Sequence, residues 1–129
     1  MEKLKISRIS GLMFVDIELW SIKENRYRNM CILLDTGASV TTISKYILAG
    51  LGYSSIGGNI MVTTASGMIQ VQTMKIAKVK VGSTELENID VYAHDFPDEC
   101  FSDGVLGMNF LERFNMTLNL DENIMRVFT

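Results

Sequence analysis

One stretch of this chain carries residue types suited to acid–base chemistry: the apolar run Ile32, Leu33, Leu34 leads into Asp35, and Thr36, Gly37, Ala38 and Ser39 follow. A carboxylate at the end of a buried apolar strand is costly unless neighbouring groups support it. Thr36 brings a hydroxyl that can hydrogen-bond. Gly37 lets the backbone turn sharply or come close to another chain. An acid held in a dry, shaped place is what proton transfer to and from a substrate requires. The competing interpretation is a turn-capping Asp ahead of Thr-Gly. The apolar lead-in and the trailing Ala-Ser favour the chemical one.

Other chemistries find little support. His94 is the only histidine and lies beside Asp95 ahead of a proline-containing loop, where a surface role is expected. One histidine and two distant cysteines do not make a metal-ligand set, so no metal and no cofactor are expected. Ser39, Ser44 and Ser66 lack the histidine and acid of a serine triad.

The elements that must position Asp35 are mostly strands. Period-two alternation dominates: Met13, Val15, Ile17 and Leu19 form a buried face, with Phe14, Asp16 and Glu18 on the other. A polar connector is expected over Lys23–Asn29, then a strand buried on both faces over Met30–Leu34. Val40–Ile43 is β-like, and Ser44 is placed to cap a short helix through Lys45–Ala49 that ends at Gly50 or Gly52. Gly57 and Gly58 mark a break. Asn59–Thr64 and Met68–Val81 form two arms joined at Ala65, Ser66 and Gly67. Glu85–Tyr92 returns after a turn at Gly82–Ser83, and Asp95–Asp103 is loop. Met108–Phe114 has helical spacing, and Thr117–Leu120 with Ile124–Phe128 forms a closing hairpin. Parallel βαβ alternation is absent.

Length and composition bound the rest. A chain of 129 residues fits one domain, spanning 1–129, and can bury a core without staples. A net charge of −3 is too small to argue for nucleic acid or a membrane as partner. Ten acidic residues against one basic residue, Arg113, between Glu85 and Glu122 are expected to form a solvated surface. No run reaches the roughly 20 apolar residues of a membrane span. Two cysteines, Cys31 and Cys100, are too few for a disulfide framework, which favours a reducing, cytoplasmic setting.

The stretch around Asp35 resembles the active-site signature of the retropepsin-like aspartic peptidases, single-domain relatives of retroviral proteases. Gly104, Val105, Leu106 and Gly107 match the family's hydrophobic-plus-glycine segment ahead of its C-terminal helix, and the arms around Ala65–Gly67 match its flap. The resemblance spans roughly residues 10 to 128. It implies an all-β, mainly antiparallel closed barrel of acid-protease type with one or two short helices. It further implies metal-free hydrolysis of peptide bonds. Asp35 would be catalytic, and Thr36 and Gly37 would support the active-site loop. Leu33, Ala38, Ser39, Val105 and the flap residues Ala65, Ser66 and Gly67 would meet the peptide substrate. This chemistry needs two aspartates and the chain has one Asp-Thr-Gly, so a homodimer would complete the site. A non-catalytic dimerisation or peptide-binding module of the same fold is the alternative. Pepsin-like enzymes carry serine where Ala38 stands, which points to a less acidic pH optimum than theirs. Met108 and Asn109 replace the basic residue usual in viral members. Whether Ile124–Phe128 joins an interleaved dimer sheet or packs within one protomer is left open at this level.

Overall fold

The computed structural model describes residues 1–54, 59–64, 67–94 and 103–128. Strands dominate: β1 (Glu2–Lys5), β2 (Ser7–Ile9), β3 (Leu12–Ser21), β4 (Arg26–Leu34), β5 (Thr42–Ile43), β6 (Asn59–Thr64), β7 (Gly67–Val81), β8 (Thr84–Ala93), β9 (Gly104–Leu106), β10 (Met116–Asn119) and β11 (Ile124–Val127). Two short helices, α1 (Lys45–Gly50) and α2 (Met108–Leu111), interrupt them.

The larger sheet runs β2-β3-β4-β9-β5-β8-β7-β6, and a further pairing of β3 with β7 closes six of these strands into a mixed barrel. Closure removes most of the exposed ladder edge. The expected closed, mainly antiparallel barrel with two short helices is therefore the observed architecture. Its two parallel pairings, β4 with β9 and β5 with β8, sit at the strand ends that carry the Asp35 region. Val15, Ile17, Leu19, Ile32, Leu34, Ile76, Val91 and Leu106 are inward-facing strand residues of one core cluster, which Phe110 of α2 joins.

Several boundaries differ from the sequence expectation. Strand β4 begins at Arg26, inside the expected connector, because Trp20 and Ser21 of β3 pair with Tyr27 and Arg26. The turn tightens to residues 22–25, with Asn25 at φ 55°. Phe14, expected on an outward face, is buried, and its ladder partners are Ser7 of β2 and Leu33 of β4. In β4 Met30, Ile32 and Leu34 are buried while Cys31 and Leu33 are half-buried, so one face is sealed and the other partly open. Ser44 does precede α1, but its side chain makes no capping bond. Helix α2 stops at Leu111, short of the expected Phe114. Gly57, Gly58 and the expected loop through 95–102 lie outside the described residues.

A second sheet holds the chain ends in the order β1-β11-β10. Strand β11 is flanked on both sides by strands of its own chain, Glu2 pairing with Val127 and Met116 with the same residue from the other side. The amide and hydroxyl of Ser83 both donate to the Glu2 carboxylate at 3.0 Å, which ties β1 to the β7–β8 turn.

Candidate active site

Strand β4 delivers Asp35 to a loop that crosses beside β9. The Asp35 N–H donates to the Leu106 carbonyl at 3.1 Å, and the Ala38 N–H donates back to the Asp35 carbonyl at 3.3 Å. The Gly37 N–H donates to Asp35 Oδ1 at 2.8 Å, which orients the carboxylate. A backbone donor to a carboxylate is a charge-assisted bond, stronger than one between neutral groups. An added Cβ at Gly37 would stand 3.2 Å from that same oxygen, so a larger residue would crowd the acid it now holds.

The turn into α2 clamps the far side of the loop. The Met108 N–H donates to the Ala38 carbonyl at 2.7 Å, and the Asn109 N–H donates to the Ser39 carbonyl at 3.0 Å. Gly107 permits this approach. A Cβ there would lie 2.7 Å from the Val40 carbonyl carbon and 2.9 Å from the Ala38 oxygen, both backbone atoms that cannot swing aside.

Asp35 is half-buried and borders a cleft of ≈ 730 Å³. The cleft floor and walls include Gly37, Ala38, Ser39, Thr42, Val105 and Tyr92, with His94 at its margin. The β6–β7 hairpin covers it, contributing Val62, Thr63 and Ile69, and Val62 and Ile69 face each other in register. A carboxylate, an apolar-walled groove and a hairpin roof thus converge in one place.

Of the residues expected to act, Asp35, Gly37, Ala38, Ser39 and Val105 gather around this cleft. Leu33 is half-buried beside Val105 in the parallel β4–β9 ladder and is not on the cleft wall of the single protomer. Thr36 is exposed. Gly67 opens β7 at φ 118°, at the end of the hairpin; Ala65 and Ser66 lie outside the described residues. Tyr92, Thr42, Val62, Ile69 and His94 on the cleft, and Thr41 and Asn109 behind the loop, were not singled out as site residues. Asn109 was legible only as a departure from a basic residue.

Cys31 is half-buried in β4; burial, then the carboxylates of Asp16 and Asp103, push its thiol pKa up, which disfavours the reactive thiolate. Among the described residues no three His, Cys, Asp or Glu side chains gather as metal ligands would, and no helix is long and apolar enough to cross a membrane.

A family profile described as aspartyl protease matches residues 22–110, which includes Asp35 and runs into α2. The chain belongs to the aspartyl protease family. Its fold is the retropepsin-like one, as similar solved structures show. A retropepsin-like aspartic protease from Rickettsia conorii superposes with a TM-score of 0.71 at 22% identity, covering 98% of this chain and 89% of that one. The EIAV protease, solved with the inhibitor HBY-793, gives 0.64 at 15% identity, covering 88% and 98%. The retroviral protease-like domain of Ddi1 from Leishmania major gives 0.63 at 14% identity, covering 95% and 91%. No curated protein matches.

Proposed function

We propose that this protein is an aspartic endopeptidase that acts as a homodimer, Asp35 of each protomer forming one half of a catalytic pair. The observation that carries the proposal is the placement of Asp35. Its carboxylate, oriented by the Gly37 N–H, opens on a cleft roofed by an apolar hairpin, and the chain has no second Asp-Thr-Gly. Thr36 is exposed in a single protomer, as a group that grips a partner's loop must be.

Two carboxylates about 3 Å apart cannot both ionise, so the pair holds one proton between them. The ionised member takes a proton from water as that water attacks the peptide carbonyl carbon. The protonated member gives its proton to the carbonyl oxygen. Collapse of the resulting diol, with a proton passed to the nitrogen, breaks the C–N bond. The pKa values of such a pair belong to the pair and not to either residue. The substrate would lie extended between the Ala38–Ser39 segment and the β6–β7 hairpin, with main-chain bonds giving affinity and side chains entering the pockets near Val105. Leu33 would contribute behind Val105, and Ala65, Ser66 and Gly67 at the hairpin tip. Because β11 is enclosed by β1 and β10, the partner would add from outside this sheet, not by threading a strand into it. The low cysteine count supports a cytoplasmic setting.

Purified protein at high concentration, incubated with mixed peptides from about pH 3 to 7, tests the reading. Cleavage is expected to be bell-shaped in pH with a maximum above about pH 3, and Asp35→Asn is expected to reduce it to background. Peptide binding without turnover by the wild type would establish the non-catalytic module instead.

A further inference from the structure

We infer that Asn109 and Thr41 are positioning residues for the reaction, a part-buried latch that holds the Asp35 loop at its working geometry. The inference rests on the peptidase reading above. Asn109 Oδ1 accepts two hydrogen bonds from Thr41, 2.7 Å from its N–H and 2.9 Å from its hydroxyl. Asn109 Nδ2 donates to the Asp90 carbonyl of β8 at 2.8 Å. The Thr41 hydroxyl in turn accepts the Gly107 N–H at 3.0 Å.

The chemistry of the partners fixes the assignment. A backbone N–H can only donate and a carbonyl can only accept, so the oxygen of the Asn109 amide must face Thr41 and its nitrogen must face Asp90. The Thr41 hydroxyl is used in both directions, and Thr41, 2% exposed, is one of two buried polar residues among those described. Four separate segments meet here: the end of the Asp35 loop, the Gly107 turn, α2 and β8. Two of them, the Asp35 loop and β8, also line the cleft through Ala38 and Tyr92.

The latch acts on the catalytic acid through a relay of backbone hydrogen bonds. Met108 and Asn109 carry the backbone donors that hold Ala38 and Ser39, and Asp35 is hydrogen-bonded to Ala38 and Leu106. Releasing Thr41 or Asn109 therefore loosens the loop without removing any group that touches the substrate. Linked buried bonds strengthen one another, and a half-satisfied network is worse than a complete one.

The test compares Thr41→Val, Thr41→Ser, Asn109→Asp and Asn109→Ala in the full chain. Serine keeps the hydroxyl and is expected to retain wild-type turnover. Valine is expected to lower kcat on the order of 10²-fold, the cost of a small misplacement of reacting groups, with KM changed far less. Asn109→Asp keeps one acceptor oxygen toward Thr41 but sets its second oxygen against the Asp90 carbonyl in place of a donor, and like Asn109→Ala is expected to fall below the wild type. Amide hydrogen exchange supplies a readout independent of catalysis. In Thr41→Val the Asp35 and Met108 amides are expected to exchange about tenfold faster, the worth of one ordinary net hydrogen bond, while Ile32 and Ile76 amides in the barrel are unchanged. Uniform acceleration of all four amides, or a serine variant as impaired as the valine one, overturns the inference. A wild type with no turnover would sink the peptidase reading alone, and the exchange pattern would still decide the latch.

Discussion

Two long hairpins of the same sheet are built to opposite specifications. The β3–β4 hairpin is braced from every side. The Tyr53 hydroxyl donates to the Trp20 carbonyl at 2.6 Å and accepts the Ala77 N–H at 3.3 Å, pinning β3 to β7. Trp20 and Tyr27 meet edge to face at 5.2 Å, and the Lys78 ammonium sits 4.3 Å from the Trp20 ring centre. At the turn Glu24 pairs with both Arg26 and Arg28, and its N–H donates to the buried Ser21 hydroxyl at 3.0 Å. The β6–β7 hairpin differs. Among the described residues, strand β6 ends the sheet and pairs only with β7. Its cleft side presents Val62 and Ile69, while Ile60, Met61 and Met68 are exposed. Methionine is unbranched and adapts to irregular partners. The contrast teaches that bracing is concentrated on the barrel wall, and adaptable apolar surface beside the cleft where the proposed substrate would enter.

The largest effect on this contrast is expected from Tyr53→Phe. It strips the Trp20 carbonyl and the Ala77 N–H of one partner and should cost about 1–3 kcal/mol in thermal or urea denaturation, with turnover per folded molecule unchanged. It also has a pH signature. Burial raises the Tyr53 pKa above its ordinary 10, and burial followed by Glu85 raises that of Tyr27 to about 12. A folded-state pKa above the unfolded one means stability that is complete below pH 10 and erodes as pH climbs toward 12. Tyr53→Phe should flatten that alkaline decline in part, Tyr27 retaining the rest.

Next in size is Ile69→Ala. Truncating the cleft roof should lower kcat/KM about tenfold, the lower end of what one apolar contact in a pocket is worth, with little change in Tm. If its loss of stability equalled that of Tyr53→Phe, the two hairpins would not differ as argued. Smallest is Glu24→Gln. Arg26, through its hydrogen bond, lowers the Glu24 pKa below 4.5, so its contribution is present above that pH and lost in acid. The group is fully exposed, and the variant should shift the acid unfolding midpoint slightly at low salt and not at all at high salt.

The residue pattern disclosed this contrast unevenly. The long strands announced themselves by alternation, because β3, β7 and β8 each run for ten residues or more with one face inward. The hairpin arms and their Gly67 end were equally legible from turn chemistry. Strands β2 and β9 have three residues each, too few for any period, and β1 finds its partner β11 more than a hundred positions away. Asp35 was visible because a charged residue ends an apolar run. The Thr41–Asn109 latch was not, since its members stand 68 positions apart and each alone is an ordinary polar residue. The braces on Trp20 were hidden for the same reason: Tyr53 and Lys78 come from other parts of the chain.

The enclosure of β11 between β1 and β10 has a consequence for the proposed dimer. If two copies do pair, a protomer whose terminal strands are already paired within its own chain would not need to unfold to part from the other. Association then becomes a simple mass-action equilibrium. In dilute solution hydrolysis would rise with the square of the protein's abundance and fade on dilution, making expression level itself the control on activity.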